Sequence, residues 1–130
     1  MRGVVPILMV VLSNLVVSGT CMAHGAIAVG HKNTDDRYGY SYDYETVGAA
    51  KKRALSDCNN NSAAGRACRV VATLNGQCGA IAYEREGVTG FGWGVASTKA
   101  AAQQKAIAKC RSSAPKGGLG CLAQGAFCDH

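Results

Sequence analysis

The spacing of apolar positions changes along the first half of the chain, and each spacing predicts a different element. Residues 25–29 are apolar throughout, as in a buried strand, whereas tyrosine occupies every second position of residues 38–44, which is typical of a strand with aromatic rings on one face. Thr46 is a suitable N-cap for a helix whose apolar residues recur at helical spacing as far as Cys58. Residues 68–74 contain several β-branched side chains and predict a third strand.

The second half of the chain repeats this order of elements. The pattern predicts strands at 79–83, 89–95 and 121–127. It also predicts a helix that is capped by Ser97 or Thr98 and ends near Cys110.

Direct sequence matches support an internal duplication. Four ordered matches occur at offsets of 52 to 54 residues: Gly25–Ala28 with Gly79–Ala82, Tyr38–Tyr40 with Phe91–Trp93, Ala49–Cys58 with Ala101–Cys110, and Cys68 with Cys121. The predicted fold class is therefore α+β. We expect two β-β-α-β repeats, at about 24–77 and 78–130, related by a pseudo-twofold axis within one small disulfide-bonded domain.

The first 23 residues have the features of an export signal. Arg2 precedes an apolar run of roughly fourteen residues, and small residues stand at the −3 and −1 positions of a cleavage site after Ala23. The run is shorter than the ~20 residues that a membrane span needs. Residues 1–23 are thus predicted to be a signal peptide, with no stable membrane span after its removal. A lipoprotein acylated at Cys21 is an alternative that Ser18 and Thr20 fit poorly.

Six cysteines remain after residue 23, and an even number in a small exported chain favours disulfides. Six cysteines allow fifteen pairings, but the repeat favours one of them. The predicted bonds are Cys58–Cys68 and Cys110–Cys121 in matching places, and Cys78–Cys128, which we expect to fasten one repeat to the other.

Charge adds little to this description. Without Arg2 the chain has thirteen Lys and Arg against eight Asp and Glu, a formal charge of +5. Scattered bases are typical of solvated helix faces, with a weak attraction to anionic glycans or membrane surfaces as the alternative. An exported disulfide-bonded chain without a recognisable binding motif is not expected to bind nucleic acid.

The repeated segments together carry a resemblance to a known family. The order of a GAIA strand, a Gly-aromatic strand, an Ala-rich helix that ends in Cys, and the stretch Cys78–Tyr83 resembles a family of small exported bacterial domains of unknown function. The resemblance covers nearly the whole chain after residue 23. It implies bacterial origin and export, and it supplies no catalytic residues.

Candidate chemistry is sparse. No nucleophile motif or phosphate-binding loop is present, so no catalytic residue and no cofactor are predicted, and whether the protein is an enzyme stays open, with a non-enzymatic role favoured. A small envelope enzyme or inhibitor that uses His31 beside Asp35 and Asp36 is one alternative. Copper binding by an N-terminal His24, completed by His31 or His130, is another.

The favoured function is a secreted or periplasmic binding module. Its partner would be a protein, a glycan or an envelope surface, on host cells or on the source cell. Because tyrosine and tryptophan dominate interface energetics, the candidate binding residues are aromatic. They are Tyr38, Tyr42, Tyr44, Tyr83, Phe91 and Trp93. Core packing is the competing explanation for aromatic positions such as Tyr40 and Trp93.

Overall fold

A computed structural model describes residues 23–30, 38–61, 68–84, 90–114 and 120–129. Residues 1–22 of the predicted signal peptide lie outside these residues. The elements are β1 (His24–Val29), β2 (Tyr38–Tyr44), α1 (Val47–Asn61), β3 (Arg69–Asn75), β4 (Cys78–Glu84), β5 (Phe91–Ala96), α2 (Lys99–Ser113) and β6 (Cys121–Cys128). The predicted α+β fold of two β-β-α-β halves is confirmed.

Both helices begin at a threonine cap. The Thr46 hydroxyl accepts a hydrogen bond from the Ala49 amide at 3.1 Å, and the Thr98 hydroxyl accepts one from the Ala101 amide at 3.2 Å. Of the two caps that the sequence allows for α2, the structure uses Thr98. The helix continues to Ser113, three residues beyond the predicted end at Cys110.

Each half forms its own antiparallel sheet of three strands. The strand orders are β2-β1-β3 and β5-β4-β6, so the first strand of each half lies in the middle. In each half the helix connects the second strand to the third, which joins the sheet on the other side of the central strand. The two halves therefore have the same topology, as the repeat predicts.

Small residues allow each helix to lie very close to its sheet. The buried helix positions are Ala50, Ala54 and Cys58 in α1 and Ala102, Ala106 and Cys110 in α2. On the facing edge strands, a Cβ atom at Gly39 would collide with the backbone of α1, and one at Gly92 with the backbone of α2. The alanines and glycines are thus required by the short distance between helix backbone and strand backbone.

The two sheets pack against each other through a separate core of larger side chains. Its buried members come from both halves: Ile27, Val29, Leu74, Ile81, Tyr83 and Phe127. The central strands contribute small residues on one side, toward the helix, and large ones on the other, toward the opposite sheet. The order of layers is helix, sheet, sheet, helix.

Three disulfides form with the predicted pairing. Cys58 is bonded to Cys68 and Cys110 to Cys121, each joining a helix to the strand that follows it. Cys78 is bonded to Cys128, but these residues lie opposite each other on β4 and β6. The expectation that this bond fastens one repeat to the other is wrong, because both strands belong to the second half.

Candidate functional site

Six aromatic side chains form a continuous row of ring contacts that runs from one half of the molecule to the other. Successive ring centroids lie 4.9 to 6.3 Å apart. In order, the members of this aromatic row are Tyr42, Tyr40, Tyr38, Tyr83, Phe91 and Trp93. The structure therefore brings five of the six predicted binding residues together and adds Tyr40 to them.

Only one end of the aromatic row is well exposed. Tyr40 and Tyr42, which we call the tyrosine patch, have relative accessibilities of 38% and 48%. The Tyr40 ring stacks on Phe127, with centroids 4.6 Å apart and an interplanar angle of 16°. Phe127 is buried in the core between the sheets, so this contact fixes the patch on the rigid part of the fold.

Tyr40 is exposed, whereas the competing explanation of its position in the sequence is core packing. It lies on β2, an edge strand, so one side of its ring packs on Phe127 while solvent reaches the rest. Alternation along a strand predicts the face on which a side chain lies. It does not show that the strand is at the edge of its sheet, so the sequence pattern does not reveal the exposure of Tyr40.

Tyr44 does not join the aromatic row. Asp43 has a positive φ of 59°, and this left-handed residue interrupts the strand alternation between Tyr42 and Tyr44. Tyr44 instead packs, partly buried, against the cluster of Ala26, Ala50 and their neighbours on the helix side of the sheet. The expectation of tyrosines on one face holds for positions 38, 40 and 42 only.

The opposite end of the row is more enclosed. Tyr83 is buried, and Phe91 and Trp93 are half-buried. The ammonium group of Lys109 lies 3.6 Å from the centroid of the Trp93 ring and forms a cation–π contact from α2. An incoming partner would have to displace this contact before it could use that face of Trp93.

Tyr38, in the middle of the row, has a perturbed hydroxyl. Burial raises the pKa of Tyr38 above its ordinary value, and the neighbouring Tyr40 raises it further. Tyr38 therefore stays protonated to a higher pH than a solvated tyrosine does. Its position between the halves agrees with this cause, since its ring lies 5.6 Å from that of Tyr83.

The histidines proposed for copper are only partly placed. His24 is the first residue of β1, and its Nδ1 atom is buried with no hydrogen-bond partner among the described residues. His31, with the acidic pair Asp35 and Asp36, and His130 lie outside those residues. Within the described part of the chain, no group of three or more His, Cys, Asp or Glu side chains could hold a metal ion.

The structure also contains a buried carboxylate that no sequence motif indicates. Asp129, directly after β6, is fully buried. Its carboxylate accepts hydrogen bonds from the Asp43 amide at 2.9 Å and from the Gly76 amide at 3.4 Å, both in the first half of the molecule. The only sequence signal is an acidic residue placed directly after the last strand and its cysteine.

Comparisons with known proteins identify a family and nothing beyond it. A family model described as a domain of unknown function matches residues 24–128. No curated protein and no solved structure gives a match. In the described part of the chain, neither α1 nor α2 is long and apolar enough to cross a membrane.

Proposed function

The chain belongs to the DUF4189 family of domains of unknown function, and we propose that it is an exported, disulfide-stabilised binding module that engages its partner through the tyrosine patch. The observation that carries this proposal is the exposure of Tyr40 and Tyr42 beside the buried Phe127. Large aromatic side chains held on a rigid support are the side chains that most often dominate binding energy.

The support under the patch favours tight binding. Tyr40 is held by stacking on Phe127, and Phe127 is packed between two sheets. β6, which contains Phe127, is bonded to β4 by the Cys78–Cys128 disulfide. Side chains that are already ordered lose less conformational entropy when a partner binds, so more of the contact energy appears as affinity.

The three disulfides favour an oxidising compartment, outside the cytoplasm. Residues 1–23 would act as the signal peptide, and the family match, over residues 24–128, covers nearly all of the segment that remains after its removal. The protein would then work in the periplasm or outside the cell. It would act on the envelope of the cell that produces it or on a host cell.

The chemistry of the patch suits a protein or a glycan better than a nucleic acid. A tyrosine offers an apolar ring face for packing and a hydroxyl that both donates and accepts hydrogen bonds. Asp43 and Glu45 are exposed at the same end of the strand and would repel a phosphate backbone. The partner is therefore proposed to be a protein, a glycan or an envelope surface that carries no dense negative charge.

Differential capture tests this function. Wild-type protein and the double variant Tyr40→Ser/Tyr42→Ser are immobilised in equal amounts and exposed to extracts of the source cell's envelope and of candidate host cells. Val47→Ser is the matched control, because Val47 is an equally exposed apolar residue that lies at the start of α1. We expect a component that wild type and the control retain, with retention reduced about tenfold or more by the tyrosine variant.

Equal retention by all three proteins would contradict the role of the tyrosine patch. Circular dichroism of the three proteins verifies that each is folded before capture. If the tyrosine variant loses the component and the control keeps it, the patch is the binding surface.

The two alternatives give different results in simple assays. An enzyme or inhibitor that acts through His31 would lose its activity in His31→Ala and would be insensitive to changes at Tyr42. A copper-binding His24 would give micromolar binding in calorimetry that His24→Ala abolishes. The binding module proposed above requires neither histidine.

A further inference from the structure

The buried carboxylate of Asp129 lies across the beginning of β1. Its Oδ1 accepts a hydrogen bond from the Asp43 amide on β2, and its Oδ2 accepts one from the Gly76 amide directly after β3. β2 and β3 are the two neighbours of β1 in the sheet. The two donors adjoin Tyr44 and Asn75, the residues that pair with His24, so the carboxylate bridges the sheet where β1 begins.

The carbonyl group of Ala23 shares a hydrogen-bond donor with this carboxylate. The Gly76 amide donates to the Ala23 carbonyl oxygen at 3.0 Å and to Asp129 Oδ2 at 3.4 Å. A carboxylate oxygen and a carbonyl oxygen with a partial negative charge therefore share one donor. The His24 nitrogen belongs to the same peptide group as that carbonyl, which places it within one peptide unit of the donor that the two acceptors share.

Among the described residues, two protein groups donate a hydrogen bond to the Asp129 carboxylate. The two groups that donate to it are neutral amides, and within the described part of the chain it forms no ion pair. Burial of a carboxylate is unfavourable unless a cation or several strong donors replace its water. A positive charge at the start of β1 would supply what the two amides do not.

We propose that, in a chain that begins at His24, the α-ammonium group pairs with the Asp129 carboxylate, so that cleavage after Ala23 completes this buried site. The inference rests on the proposed export and processing. Hydrolysis of the Ala23–His24 peptide bond consumes one water molecule, leaves a carboxylate on the departing segment and frees the His24 amine, which takes up a proton. The competing Ala23 carbonyl leaves at the same step.

Processing thus exchanges a repulsive contact for an attractive one. The second half of the molecule, through Asp129, would hold the new first residue of the first half. A protonated amine is not a metal ligand, so this pairing opposes the copper alternative. The other titratable groups near the start of β1 are the His24 imidazole and the Asp43 and Tyr44 side chains of β2, while β3 ends here at Asn75, which does not titrate.

The test measures the pKa of the α-amino group by NMR titration of its nitrogen. The chain is released from a fusion by a protease that leaves His24 as the first residue, and it contains every described strand and helix. We expect the α-amino pKa to lie about one unit or more above the usual value of about 7.7. In Asp129→Asn it should return to the usual value. Asp43→Asn, which removes a neighbouring carboxylate but not the proposed partner, should leave it raised.

A chain that begins at Ala23 is a second comparison that does not depend on the folding of Asp129→Asn. It keeps Asp129 but moves the ammonium one residue away, and we expect an ordinary pKa. An ordinary pKa in the chain that begins at His24, or an equally raised one in the chain that begins at Ala23, would overturn the ion pair.

Sequencing the N-terminus of the exported protein tests the processing step, and a start other than His24 would overturn that part. None of these results depends on a binding partner, so they are separate from the fate of the tyrosine patch.

Discussion

Asp43 determines which tyrosines of β2 reach solvent. Its left-handed backbone, with φ of 59°, turns Tyr44 toward the helix side and leaves Tyr40 and Tyr42 on the side that faces the second sheet. Aspartate tolerates this conformation better than most residues do. The Asp43 amide is also held by Asp129, so the turn at this residue and the contact between the halves stabilise each other.

The raised pKa of Tyr38 predicts a loss of stability at alkaline pH. Burial and the adjacent Tyr40 favour the neutral hydroxyl in the folded state, so above a pH of about 10 the unfolded chain loses this proton first. The stability that depends on the neutral form is complete below the unfolded pKa and is lost as pH rises through the folded pKa. Urea unfolding from about pH 9 to about pH 11 should show this decline, and Tyr38→Phe should reduce it.

A titration of the tyrosines by absorbance tests whether Tyr38 causes the loss of stability at alkaline pH. Tyrosinate absorbance of the wild type should contain a component that ionises at higher pH than free tyrosine, and this component should be smaller in Tyr38→Phe. Tyr42→Phe is the control, because Tyr42 is exposed, and it should leave the high-pH component in place. A variant of Tyr38 with an unchanged titration curve would contradict the assignment.

The glycines of β2 and β5 allow each helix to lie close to the edge strand of its sheet. The Cβ atom of any other residue at Gly39 would meet the carbonyl of Ala54 and the amide of Cys58. Backbone atoms of a helix cannot move aside as a flexible side chain can. The short strand-to-helix distance in turn explains why the buried helix positions are alanine and cysteine.

Gly39→Ala and Gly48→Ala should therefore have opposite effects on the free energy of unfolding. Gly39→Ala forces the helix away from its sheet and should destabilise the protein by about 2 kcal/mol or more. Gly48 lies in α1 with open space around it, so Gly48→Ala should stabilise by about 0.5–1 kcal/mol through better helix propensity. Urea denaturation measures both, and a destabilisation by Gly48→Ala comparable to that of Gly39→Ala would contradict the packing described.

Sequence patterns predict the elements because each depends on local features. The repeat of GAIA at residues 25–28 and 79–82, the caps at Thr46 and Thr98, and the cysteines at the helix ends are visible in the sequence. The exposure of Tyr40 and the burial of Tyr83 are not predictable in this way, since both depend on how one sheet packs on the other. The role of Asp129 escapes sequence patterns because its partners, Asp43 and Gly76, lie 86 and 53 residues away.

Across the fold, the two halves are held together by packing and hydrogen bonds. Each of the three disulfides among the described residues lies within one half. Among the described residues, the contacts between halves include the apolar core between the sheets, the ring contacts of Tyr38 with Tyr83 and of Tyr40 with Phe127, and the hydrogen bonds to Asp129. The aromatic row thus contributes both to the proposed binding surface and to the joint between the halves.

The stability lost when a disulfide is removed should increase with the length of the loop that the disulfide closes. Cys78–Cys128 closes a segment of 50 residues, whereas Cys58–Cys68 closes one of 10. On the chain-entropy model, the double alanine variants should lose about 4 and about 3 kcal/mol of stability respectively. Reversible urea unfolding of each variant measures the loss. A smaller loss for the Cys78/Cys128 variant would show that strain or residual structure outweighs the entropy of the longer loop.

The proposal that Tyr40 and Tyr42 contact a partner is tested most directly by hydroxyl-radical footprinting, which does not require the partner to be identified. The oxidation rate of each tyrosine is measured by mass spectrometry for the free protein and for the protein bound to an envelope or host-cell preparation. We expect binding to slow oxidation of Tyr40 and Tyr42 several-fold and to leave Val47 on α1 unchanged. Unchanged oxidation of both tyrosines in the bound protein would contradict the proposal.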